Sequence, residues 1–170
     1  QINHFTTAQN GLFEKDGSFH KAGGSTRINS TAITDTPNIM GMFDYHRAGT
    51  AGSFTQKFVV VPSNQTIYKE DMDGTFDNIT GAAVIGANAI PVFCVFDDIL
   101  TIWFSDNSTP LSWNTTGNVA TLAGSPAAGR GAVVHANRLW SWGDNANPSR
   151  ISYSAYGDPE THSGSDSGFL

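Results

Sequence analysis

The same strand-and-turn pattern recurs along residues 38–170, and a recurring unit of this size narrows the possible folds more than any single motif. A first apolar segment (39–45, 91–96, 131–135) precedes a second (57–61, 100–104, 138–142). A third follows a polar turn (66–69, 110–113, 150–153), and a weaker fourth follows another turn (75–79, 118–122). In the last copy the fourth segment is expected near the C-terminus and cut short. The aromatics Tyr68, Trp113 and Tyr153 act as a ruler, 45 and 40 residues apart, each followed within a few residues by a glycine: Gly74, Gly117, Gly157. Four strands per roughly 40–45 residues is the period of a β-propeller blade. One such sheet cannot bury both its faces, so sheets of this kind stack.

The segments themselves read as strands. Lys57-Phe58-Val59-Val60-Val61, Leu100-Thr101-Ile102-Trp103-Phe104 and Arg138-Leu139-Trp140-Ser141-Trp142 are rich in β-branched and aromatic residues and end in Pro, Asn, Asp or Gly. No window shows a convincing 3.6-residue period, and the Ala-rich stretch 81–87 holds too many glycines for a helix interior. The expected fold is therefore all-β: propeller-type blades of four antiparallel strands, as an incomplete ring or part of a larger propeller. Residues 1–37 form an entry segment with short hairpins around Asn10-Gly11 and Asp16-Gly17, and 38–170 form about three blades. Rings close with about four to eight blades, so three leave edges for more chain or another subunit. The alternative is a meander or sandwich whose strands are alike only as strands. Trp103, Trp113, Trp140, Phe93, Phe96 and Phe58 are expected between the sheet faces.

Composition removes several classes of function. Nine Lys and Arg against fifteen Asp and Glu give a net charge of −6, far from the basic footprint of a protein that coats nucleic acid. Charged residues are 14% of the chain, and 39% are hydrophobic, which suits one ordinary core rather than a disordered tail or a coiled coil. A single cysteine, Cys94, allows no internal disulfide and no zinc site needing two thiolates. It lies in the apolar run 92–96 and reads as a small buried hydrophobe. No apolar run is long enough to be a membrane-spanning helix, and no basic start followed by an apolar run marks a signal peptide. The chain begins at Gln1, as expected of a processed, trimmed or fragmentary chain.

No constellation for catalysis or metal binding stands out, and no catalytic, cofactor or metal residue is expected. Asp71-Met72-Asp73-Gly74-Thr75-Phe76-Asp77 alternates carboxylates, but an EF-hand needs Gly at position six and Glu at twelve, where this chain has Phe76 and Ala82. It reads as a hairpin tip. Both it and 105–113 resemble degenerate aspartate-box turns of sialidase-type propellers, which would need three arginines gathered on a carboxylate. The arginines are Arg27, Arg47, Arg130, Arg138 and Arg150. Adjacent Asp97 and Asp98 cannot act as opposed carboxylates on one strand face and read as a turn. His4, His20, His46, His135 and His162 are scattered, and no Gly-x-Ser-x-Gly or phosphate-binding loop occurs. Five Asn-x-Ser/Thr triplets, at Asn29, Asn64, Asn78, Asn107 and Asn114, read as chance in an Asn- and Thr-rich chain.

Three stretches carry a family resemblance: 134–140, then Gly143-Asp144-Asn145-Ala146-Asn147-Pro148-Ser149-Arg150-Ile151-Ser152-Tyr153-Ser154, then Gly157-Asp158-Pro159-Glu160. Together they resemble the tail tubular or nozzle propeller proteins of short-tailed phages. Gly11-Leu12-Phe13 and Ala22-Gly23-Gly24-Ser25-Thr26-Arg27 are similar to the segment preceding the first blade in that group. One departure is Thr161-His162, where an aromatic often follows the Gly-Asp-Pro-Glu turn. The resemblance implies a virion structural protein in the phage tail, with no catalytic residues and no cofactor. It further implies a homo-oligomeric ring such as a hexamer, adaptor and fibre proteins as partners, only transient contact with DNA during ejection, and no membrane. A glycan-binding or sialidase-like propeller is the alternative.

Overall fold

The computed structural model describes residues 31–48, 54–124 and 126–170, together with the backbone of 11–13 and 19–21. Strands β1 (Gly11–Phe13) and β2 (Phe19–Lys21) pair antiparallel, Gly11 opposite Lys21. The turn expected at Asp16-Gly17 falls between them, outside the described residues, as do Asn10 and Arg27.

The other strands build three four-stranded antiparallel sheets, each a simple meander. The first holds β3 (Ile39–Ala48), β4 (Phe54–Pro62), β5 (Tyr68–Glu70) and β6 (Phe76–Asn78). The second holds β7 (Pro91–Phe96), β8 (Ile99–Phe104), β9 (Leu111–Trp113) and β10 (Ala120–Thr121). The third holds β11 (Gly131–His135), β12 (Arg138–Trp142), β13 (Ile151–Tyr153) and β14 (Gly168–Phe169). The all-β reading holds among the described residues, and the short final strand expected near the C-terminus is β14.

The sheets stack in chain order, and the period-two alternation of side chains decides what goes between them. In the second sheet Leu100, Ile102 and Phe104 point to the first, where they meet Tyr45, Val59, Val61, Ile67 and Ile79. The opposite face sends Trp103, Phe96 and Leu122 against Ala132 and Leu139 of the third. The first strands lie side by side, β3 next to β7 and β7 next to β11. Phe43 stacks on Phe93 with ring centroids 5.2 Å apart. Gly41 permits this approach, since a Cβ there would lie 2.3 Å from Cγ of Pro91. Between the second and third sheets the buried indole and hydroxyl are paired: Trp103 Nε1–H donates to Thr101 Oγ1 at 3.2 Å, and Thr101 Oγ1–H donates to the Cys94 carbonyl at 3.1 Å.

Two turns explain why the inner hairpins are so short. Asp97 and Asp98 have φ of 50° and 57°, Ala136 and Asn137 have 47° and 58°. Both pairs therefore form the two-residue primed turn that matches strand twist. Asp97-Asp98 is thus the turn expected from the sequence. Alanine is a poor occupant of such a position, where Asn, Asp and Gly are favoured. Ala136→Asn is expected to raise unfolding stability by roughly 0.5–1 kcal/mol in a urea titration.

The expected aromatic core needs correction. Trp103, Trp113 and Phe96 are buried, but Trp140, Phe93 and Phe58 are only half-buried. Trp140 lies on the outer face of the third sheet, opposite to Leu139, so it packs beside Tyr153 at a centroid distance of 5.0 Å rather than between sheets.

Candidate functional site

The sheet registers show which residues are equivalent among the three repeats. The carbonyl of Ile67 accepts from Ile79 N–H, that of Pro110 from Leu122 N–H, and that of Ile151 from Leu170 N–H, at 2.9, 2.9 and 2.8 Å. Ile67, Pro110 and Ile151 therefore occupy one repeat position, and Ile79, Leu122 and Leu170 another. Three residues past the first set lie Glu70, Trp113 and Ser154, all buried. The aromatic ruler of Tyr68, Trp113 and Tyr153 is therefore out of register by two residues in the first sheet and one in the third. A one-residue slip turns Tyr153 to the opposite face.

The sets Ile67, Pro110, Ile151 and Ile79, Leu122, Leu170 are buried in the first two sheets and bare in the third. Ile79 and Leu122 are 2% and 1% exposed, whereas Leu170 is 74% exposed. Trp103 and Trp142 are both fifth after their equivalent primed turns; Trp103 is 0% exposed and Trp142 44%. Val133 and Ile151 beside Trp142 are likewise exposed. In the first two sheets this face is covered by the next sheet. In the third, no sheet among the described residues lies over it. This apolar face, rimmed by Arg138, Arg150 and His135, is the candidate functional site.

The polar loops are built as structure. Glu70 Oε1 accepts from Gly74 N–H at 2.8 Å, and Trp113 Nε1–H donates to the Gly117 carbonyl at 3.0 Å. The repeated glycines are thus tied back to the end of the third strand, with positive φ of 88° and 60°. The Asp71 hairpin is a turn, as expected: Asp73 Oδ1 accepts from Thr75 N–H at 2.9 Å. Lys57 and Lys69 bracket Asp71, and Lys69 also reaches Asp77 at 3.0 Å. Burial pushes the Asp71 carboxyl up, but hydrogen bonds from the two lysines outweigh it and hold the group below its ordinary value.

The Asn-x-Thr triplets have a local cause. Asn78 and Asn114 accept from the N–H of Thr80 and Thr116 at 2.9 and 3.1 Å, and Thr66 Oγ1 reaches Asn64. The contacts at Asn78 and Asn114 are Asx turns, for which Asn followed two residues later by Thr is well suited, and at Asn64 the threonine hydroxyl makes the contact. Asn107 instead joins neighbouring sheets: its Nδ2–H donates to the Gly143 carbonyl, and its Oδ1 accepts from Asn145 N–H, both at 2.7 Å.

The described arginines are engaged at separate places. Arg47 bonds the Asn114 carbonyl and Thr115; Arg130 bonds Asn145; Arg138 bonds Asp166 and the Ser154 carbonyl; Arg150 lies 3.9 Å over the Phe169 ring. His46 pairs with Asp44 at 3.0 Å, and Cys94 is half-buried with its thiol pushed up by burial. Among the described residues no three His, Cys, Asp or Glu side chains gather as a metal site.

Burial also lowers the pKa of His162, whose Nε2 is 2.9 Å from the Pro159 carbonyl. The neutral ring is favoured in the fold, so folding stability is full above the unfolded value of about 6.5 and falls as pH drops below it. His162→Gln is expected to flatten that slope in thermal melts between about pH 7 and 5.

No family model matches the chain, and no curated protein or solved structure matches it either.

Proposed function

We propose that this chain is a non-catalytic structural component of a phage tail, forming part of a propeller-type ring or nozzle that continues the DNA channel. The observation that supports it best is the stack of three sequential four-stranded sheets with neighbouring first strands and one face left bare. A repeat array is completed by more sheets, not by a substrate. The loops that resemble tail nozzle proteins are firm connectors: Asp144 accepts from Ala146 N–H and Asn147, and Asp158 from Glu160 N–H and Thr161. On this reading the partners are other copies of the chain and the adaptor and fibre proteins of the virion, and DNA passes only transiently.

Immunogold labelling of virions whose genome encodes the chain tests the assignment. Gold on the tails is expected; virions that carry none of the protein would overturn it. A conduit also must not hold DNA, and each phosphate paired with a cation adds salt-dependent affinity. With a net charge of −6, the chain is expected to show no salt-sensitive duplex binding in an anisotropy titration at micromolar protein.

A second reading, a glycan-binding propeller, is favoured by one feature. A cleft of about 290 Å³ is lined by Ser112, Asn114, Thr116, Asn118 and Glu160, side chains able to hydrogen-bond sugar hydroxyls. Binding on a glycan array, lost in Asn118→Ala, would favour it over the ring.

A further inference from the structure

We propose that the bare face of the third sheet docks head-to-tail on the outer face of the first sheet of a second copy, with Trp142 as the anchor. The proposal rests on the ring reading and names the two faces that join.

The contact to be made is already made within the chain. Trp103 leaves the second sheet and lies against the start of the third, where a Cβ on Gly129 would be 3.3 Å from the Trp103 ring. Trp142 holds the same repeat position and finds no such neighbour. Gly129 lies two residues before Gly131 of β11, and Gly131 corresponds in the repeat to Gly41 of β3. A sheet placed on Trp142 as the third sheet is placed on Trp103 therefore offers the region around Ile39. In the first sheet that region is an apolar groove of about 310 Å³, lined by Ile33, Pro37, Ile39, Met42, Val60 and Phe76. Ile39 and Met42 there are 51% and 65% exposed. A large exposed indole on one end of the stack thus corresponds to an apolar groove on the other, at the position where the repeat puts the contact. Aromatic anchors in pockets dominate interfaces of this kind.

Charged groups lie at matching ends. Asp44, on the Met42 face toward the β3–β4 loop, accepts from Gln56 and pairs with His46 at 3.0 Å. Arg138 lies at the corresponding end of the third sheet, next to the β11–β12 turn, and pairs with Asp166 at 2.6 Å. The contact is heterologous, so each copy keeps one donor face and one acceptor face. Two copies contribute six sheets, within the range of about four to eight at which such arrays close.

Sedimentation equilibrium of the whole chain, from low to high micromolar, is the test. The expected mass rises from 18.1 kDa toward twice that value. Trp142→Asp and Met42→Asp are each expected to weaken association at least about 30-fold, the effect of losing a hot-spot contact. Mixing the two variants restores a one-to-one pair, because each supplies the face the other lacks. Val133→Lys, on the same bare face, replaces Trp142→Asp if circular dichroism shows that variant unfolded. A constant 18.1 kDa overturns the proposal. So does association that survives Met42→Asp, which indicates a third sheet meeting a third sheet, or variants that never pair with one another. Virion labelling is independent of these outcomes, so the tail assignment and the docking can fail separately.

Discussion

Trp103→Ala is expected to lower unfolding stability by roughly 3–5 kcal/mol, measured by urea denaturation. Trp103 is fully buried between the second and third sheets, packed with Phe96, Leu122, Ala132 and Leu139. Truncation removes its transfer free energy and leaves a cavity that two sheets cannot easily close. It also leaves Thr101 Oγ1 without the indole donor. The same truncation at Trp142, the equivalent position, removes a half-exposed ring and is expected to cost the isolated chain about 1 kcal/mol or less. Equal costs at the two positions would mean that Trp142 is covered as Trp103 is and would contradict the bare face.

Gly124→Ala is expected to be nearly as damaging, at roughly 2–4 kcal/mol, by the same measurement. Gly124 has φ of +76°, and a Cβ there would lie 1.9 Å from the Glu160 carbonyl oxygen. Backbone, not a flexible side chain, blocks it, so the loop leaving the second sheet would have to move off the 158–162 loop. Gly117 separates strain from overlap. Its φ is +60° but a Cβ meets nothing within 4 Å, so Gly117→Ala should cost only about 1 kcal/mol. A Gly124→Ala effect no larger than that at Gly117 would mean the two loops are not in contact.

The strands were largely legible in the sequence because buried strands announce themselves. The segments 91–96, 131–135 and 138–142 coincide with β7, β11 and β12, each a β-branched or aromatic run cut off by turn formers. The period was legible too, but its register was not. Tyr68, Trp113 and Tyr153 look alike as aromatics, yet the true equivalents are Glu70, Trp113 and Ser154, which share burial and hydrogen bonding rather than side-chain type. Burial of a third-strand position can be met by an indole, a carboxylate tied to a glycine N–H, or a small hydroxyl. Sequence similarity does not preserve that position.

The bare face was hidden for a different reason. Trp103 and Trp142 are the same residue at the same repeat position, and nothing local distinguishes a tryptophan that is covered from one that is not. Coverage depends on the next sheet in the stack, a long-range property. Beside the open edges expected from the blade count, the third sheet leaves an apolar face bare, which strand counting does not reveal. The Asn-x-Thr triplets were the reverse case. The signal for Asx turns was in plain view, since Asn at the first position and Thr at the third is what such a turn selects.

On the proposed docking, the face carrying Trp142, Ile151 and Leu170 is covered by another four-stranded sheet. An electron cryo-microscopy structure of the assembled protein tests it most directly. A sheet packed over those three residues, related to the third sheet as the third is to the second, is the predicted result. A particle in which that face is open to solvent, or covered by a helix or by lipid, would contradict it.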